Sequence, residues 1–148
     1  MNNPFKFLRP GEWELLIAKA EQRTYKPEDT ILKQGDKPSG IYIVQKGKAK
    51  VVKDSFGFQI AVAEYNAGSI FGEMSFIEAE VANIAVIAEE NCGVMIIGHA
   101  VVQEIINQNP GFYGRFFQSL AYILSQRLRA TTGMLGQGTE TWNKVNDV

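Results

Sequence analysis

The chain has 148 residues, 45% of them hydrophobic and 21% charged, and 15 Lys and Arg against 16 Asp and Glu leave a net charge of −1. That length suits one domain, that balance excludes a disordered chain, and the missing basic excess argues against a dedicated nucleic-acid binder. A single cysteine, Cys92, precludes an internal disulfide and suits a reducing cytoplasm, and a single histidine, His99, argues against a metal site.

Residues 1–10 lack a basic segment followed by an apolar core, so no signal peptide is expected, and no run approaches the ~18–20 apolar residues of a membrane helix. Pro10–Ala20 reads as a first helix, with Trp13, Leu16, Ile17 and Ala20 at helical spacing and Pro10 suited to its start. From Pro27 to Gly98 short β-branched runs alternate with Gly, Asp, Asn and Ser turns. The candidate strands are Thr30–Lys33, Ile41–Gln45, Ala49–Lys53, Gln59–Glu64, Ala82–Glu89 and Gly93–Ile97. Strands this short and regularly spaced point to an antiparallel barrel or sandwich.

His99–Asn107 resumes helical spacing, and Pro110 opens a longer helix to about Thr132. Its apolar residues, Phe112 to Leu128, spread round more than half of the circumference, wider than one amphipathic stripe requires. Such a helix buries two faces, either both in its own core or one against a second chain. Gly133, Gly136 and Gly138 weaken helical propensity, so a flexible tail is expected over 136–148, with Trp142 either docking or making an ordinary surface contact.

Three stretches then combine. Ile31–Asp36, Gly40–Val44 and Gly47–Val52 resemble the opening strands of the cyclic nucleotide-binding domain family, and Gly68-Ser-Ile-Phe71-Gly72-Glu73-Met74-Ser75-Phe76 resembles its phosphate-binding cassette. Leu120–Leu135, with Leu124, Arg127, Leu128, Thr131 and Thr132, resembles the long helix of the catabolite activator protein branch. The resemblance covers roughly residues 10–135. It implies a mainly β fold, an antiparallel jelly-roll β-barrel with an N-terminal helix, a short cassette helix and a long C-terminal helix. The domain spans 1–135, with its barrel at about 28–98 and its C-terminal helices at about 99–132.

The resemblance also implies a pocket lined by Phe71, Gly72, Glu73, Met74, Ala82, Asn83, Thr131 and Thr132. Gly72 would let a phosphate approach the cassette helix, Glu73 would accept from a ribose hydroxyl, and the two threonines would meet the purine. The family's phosphate-binding arginine falls on Ala82 and the small residue after it on Asn83. No Lys or Arg lies between Gly68 and Glu90, while Glu78 and Glu80 add negative charge. Losing one partner of a buried charge pair costs about 2–5 kcal/mol, roughly 30-fold to several-thousand-fold in affinity.

The expectation is therefore a cytoplasmic, non-enzymatic regulatory or scaffold module acting through protein contacts, with cAMP and cGMP binding weakened or lost and no cofactor. The alternative is a working cAMP or cGMP sensor that relays binding through the C-terminal helix. A homodimer is expected through residues 110–132, chiefly Phe116, Phe117, Leu120 and Leu124. DNA binding is not expected, because no helix-turn-helix follows Leu135. Cupin-like metal chemistry needs several histidines, and nucleophilic catalysis needs a base beside Cys92; neither is present, so no catalytic residue is assigned.

Overall fold

A computed structural model describes the backbone of residues 2–146 and the side chains of residues 2–133. The elements run α1 (Pro10–Lys19), β1 (Glu21–Tyr25), β2 (Thr30–Leu32), β3 (Ile41–Lys46), β4 (Ala49–Ser55), β5 (Phe58–Tyr65), β6 (Ile70–Phe71), α2 (Glu73–Glu78), β7 (Ala85–Ala88), β8 (Cys92–Ile97), α3 (His99–Gln108) and α4 (Gly111–Asn146). The fold is mainly β, and every strand pairing is antiparallel. The expected barrel takes the form of two four-stranded sheets, ordered β1-β8-β3-β6 and β2-β7-β4-β5; among the described residues no ladder closes them into one.

Strand periodicity explains the layers. In β3, Ile41 and Ile43 face the helices while Tyr42 and Val44 face the second sheet. In β8, Met95 and Ile97 point one way and Val94 and Ile96 the other. Successive side chains alternate faces, so a strand covered on both sides reads as an unbroken apolar run. Gly40 enters β3 where a Cβ would stand 2.1 Å from the Ile97 carbonyl oxygen, so only glycine permits this approach.

The helical layer is anchored by α4. Phe112, Phe116 and Leu120, at helical spacing, are buried with Phe5, Trp13 and Leu16. Phe5 packs between Trp13 and Phe116, with ring centroids 5.9 and 5.2 Å away. Beside them, buried Glu12 on α1 accepts a forked pair of hydrogen bonds from Arg115 at 2.8 and 2.6 Å. It also accepts from the Asn109 amide at 3.0 Å and the Arg9 backbone N–H at 2.9 Å. The Arg115 guanidinium holds the Glu12 carboxyl below its usual range.

Three expectations change. Strands β1 and β6 stand where none was expected, as partners of β8 and β3. Phe116 and Leu120 are 0% exposed within a single chain, so they are core residues whose surface is not free to form an interface. The α4 backbone runs on to Asn146, past the glycines that suggested an end near Thr132. A glycine costs a helix about 1 kcal/mol, a penalty that does not forbid continuation. The side chain of Trp142 lies outside the described residues.

Candidate cassette site

The cassette begins where β6 delivers Phe71 to the inner edge of the first sheet. Phe71 stacks between Tyr42 and Tyr65, with ring centroids 4.8 and 5.1 Å away, which fixes the strand end. Burial, with the Glu73 carboxylate nearby, raises the Tyr65 phenol above its usual range. Gly72 then turns left-handed, φ 81°, to cap α2, and a Cβ there would lie 2.9 Å from the Gly40 carbonyl oxygen. The chain can start α2 at this spot only with glycine.

Glu73 and Phe76 are the buried residues of α2. After the helix, the backbone of Ala82 is pinned from both sides: its N–H donates to Asp36 and its carbonyl accepts from Gly35, each at 2.8 Å. Ala82 is 5% exposed, its methyl in the core between the sheets. Phe71, Gly72, Glu73, Met74, Ala82 and Asn83 thus surround one small cavity of about 80 Å³, together with Leu32, Tyr65, Ser75 and Ile84. Its lining contains no Lys or Arg.

The two threonines stand apart. Thr131 and Thr132 are exposed on α4, and the Thr131 hydroxyl donates to the Arg127 carbonyl at 3.1 Å. In their place α4 extends Arg127 into the cassette, where its guanidinium donates to the Glu73 carboxylate and to the Ile70 carbonyl. Glu73 is only 4% exposed, so this partner compensates an otherwise costly buried charge. Arg127 lies four residues before Thr131 on the same helical face, the signal by which sequence reasoning could have assigned it a role.

Further out, Phe76 connects the cassette to the helical layer. It stacks on His99 at 3.8 Å between centroids and nearly parallel, 7°, and meets Phe116 edge-on at 6.1 Å. His99 therefore acts as a packing ring. Burial and the Lys37 charge lower its pKa. Cys92 is buried at the start of β8, where its thiol donates to the Lys48 carbonyl and burial raises its pKa. Among the described residues no group of three or more His, Cys, Asp or Glu is arranged to hold a metal, and no helix is long and apolar enough to cross a membrane.

Comparison with known families places the chain. A profile of the cyclic nucleotide-binding domain matches residues 22–109, more than half of the chain. The chain belongs to the cyclic nucleotide-binding domain family. It is 27% identical over 127 residues to the cAMP-activated global transcriptional regulator CRP of Salmonella typhimurium, covering 84% of this chain and 58% of that protein. It is 39% identical over 74 residues to a cyclic nucleotide-gated cation channel protein of Drosophila melanogaster, covering 50% of this chain and 11% of the channel protein. The chain thus spans at most a little over half the length of these relatives. Among solved structures, the catabolite activator protein of Thermus thermophilus superposes with a TM-score of 0.75 at 24% identity, covering 93% of this chain and 63% of that one. A cyclic nucleotide-binding domain from Methylobacillus flagellatus superposes at 0.78 and 18% identity, covering 88% and 74%. At these identities the superpositions show the fold alone, that of a cyclic nucleotide-binding domain.

Proposed function

We propose that this domain works as a non-enzymatic regulatory module that has given up conventional cyclic-nucleotide binding and acts through protein contacts. The observation that carries this reading is the charge arrangement of the cassette. The position that would hold a phosphate carries a core alanine, and the Arg127 guanidinium is already committed to Glu73 and Ile70. A cyclic nucleotide entering here must displace that pair and enlarge a cavity of about 80 Å³ whose described lining holds no Lys or Arg. Neutral donors such as Asn83 bind an anion less strongly than an ion pair does.

The same contact supports a role for α4. Its first half is fastened by Phe112, Phe116 and Leu120, and its second half reaches the cassette through Arg127. Half-buried Phe117 and Leu124 and the exposed Leu128 form a continuing stripe at helical spacing that the core covers only in part. This stripe suits a second copy, giving a homodimer through α4 whose geometry does not wait for a ligand. The module in this reading is cytoplasmic and does not bind DNA by itself.

The test pairs the natural domain with Ala82→Arg in a thermal-shift titration with cAMP and cGMP. The natural domain is expected to show no saturable shift, and the variant to gain one. Saturable stabilisation of the natural domain at submillimolar nucleotide favours the sensor reading and overturns this one.

A further inference from the structure

A cleft of about 600 Å³ lies where the cassette helix α2 meets α3 and α4. Buried Phe76 and Val102 and half-buried Ile106 and Phe117 line it, together with Ile77 and Tyr113, which are 46% and 57% exposed. The apolar surface continues beyond the cleft. Met74, one helical turn before Ile77, is 57% exposed, and Val81, just past α2, is 55% exposed. Contiguous apolar surface on a soluble chain marks an interaction site or a ligand groove.

The lining argues for a helix as the occupant. A small ligand is oriented by a few free polar groups. Here the Gln103 amide already donates to Asn107 at 2.9 Å, and the His99 ring lies stacked on Phe76. Met74 and Val81 also stand outside the lining, beyond the reach of a small molecule seated in it. The walls are helices, which offer no strand edge to extend, so the occupant must satisfy its own backbone.

Charge identifies the partner. Glu78 ends α2 and Glu80 follows it; both are exposed, and among the described residues neither forms an ion pair. No Lys or Arg lies between Gly68 and Glu90. The Lys37 charge reaches His99 but pairs with neither glutamate. A second copy of this chain supplies no matching helix. Among the described residues of its helices, Lys19 is paired with Glu104, Arg115 with Glu12 and Arg127 with Glu73. That leaves Arg129 alone to meet two carboxylates.

We propose that this cleft receives a basic amphipathic helix from another protein. Its apolar side chains enter between α2, α3 and α4, and its lysines or arginines face Glu78 and Glu80. This rests on the reading of a module that acts through protein contacts, and it names the class of partner. Because Phe76 in the cleft and Glu73 under Arg127 both belong to α2, an occupant here bears on the same short helix that α4 holds.

The test is fluorescence anisotropy with a labelled amphipathic helical peptide of leucine and lysine, beside the same peptide with glutamate in place of lysine. The lysine peptide is expected to bind saturably and the glutamate peptide not. Glu78→Lys with Glu80→Lys should weaken the lysine peptide about tenfold and let the glutamate peptide bind. That gain also shows that the variant is folded. Glu89→Lys with Glu90→Lys makes the same charge change in the β7–β8 turn and should leave affinity within about twofold. Ile77→Ser, on an exposed side chain, should weaken the lysine peptide several-fold. No saturable binding of the lysine peptide overturns the proposal, as does equal weakening by the two charge reversals. A lower solution mass of Glu78→Lys, Glu80→Lys without peptide would show a second copy in the cleft and overturn it too. Saturable cAMP binding by a domain that also passes the peptide test would refute the functional reading and leave this surface standing, so the two failures are distinguishable.

Discussion

Arg127→Ala is the perturbation that most sharply tests how the cassette is held. The substitution removes the guanidinium from Glu73 and Ile70 and leaves a carboxylate that is 4% exposed without its cation. Breaking a fully buried pair costs about 3–5 kcal/mol. Here the Arg127 side chain is 41% exposed, so water already screens part of the attraction, and about 1–3 kcal/mol is the reasonable expectation. For a domain of this size that corresponds to a fall in Tm of roughly 2–10 °C. Urea denaturation followed by fluorescence gives the free energy directly. Adding Glu73→Gln should recover most of the loss, because a neutral amide is cheaper to leave buried than a carboxylate. A loss below about 0.5 kcal/mol, or a double variant no more stable than Arg127→Ala, would refute the reasoning that this pair holds α4 on the cassette.

Other outcomes follow from the same structure. Phe116→Ala should cost about 3–5 kcal/mol of unfolding free energy, while Leu128→Ala should cost under ~1 kcal/mol and instead weaken self-association in sedimentation. Gly40→Ala should destabilise by at least about 2 kcal/mol in thermal denaturation, since its Cβ would stand 2.1 Å from the Ile97 carbonyl oxygen. Glu12 is held below the ordinary carboxyl value of 4.5, so its stabilisation is complete above that pH and is lost as pH falls through the folded-state value. Stability measured from pH 6 to pH 3 should therefore fall less steeply in Glu12→Gln than in the natural protein, although the variant begins lower; equal slopes would contradict the assignment.

Elements with one dominant period are legible in the sequence. β3 and β8 are continuous apolar runs, and α1 and α3 have clean helical spacing, so expected and observed boundaries agree within a residue or two. β1 is hidden because Glu21-Gln22-Arg23-Thr24-Tyr25 has little apolar content and gains its strand conformation by pairing with β8. β6 has two residues, too few for any period. Phe71, Gly72, Glu73, Met74, Ala82 and Asn83 line one cavity because local turn chemistry and Gly72 determine the path of the chain there.

The long helix shows what a sequence withholds. Phe116, Phe117, Leu120 and Leu124 are all apolar, and periodicity alone does not say which of them face the sheet. The packing of Phe5 and Trp13 decides it, assigning Phe116 and Leu120 to the core and leaving Phe117 and Leu124 beside the open stripe. Arg127 poses the opposite problem. Its contact with Glu73 depends on α4 crossing the cassette, a tertiary fact that helical spacing does not carry.

Whether a core alanine and a committed Arg127 leave a cyclic phosphate without a counterion is read out by isothermal titration. The natural domain would be titrated with cAMP, cGMP and AMP up to millimolar nucleotide. No saturable heat is expected from any of them. Tight, stoichiometric heat from either cyclic nucleotide would contradict that expectation and establish a working sensor.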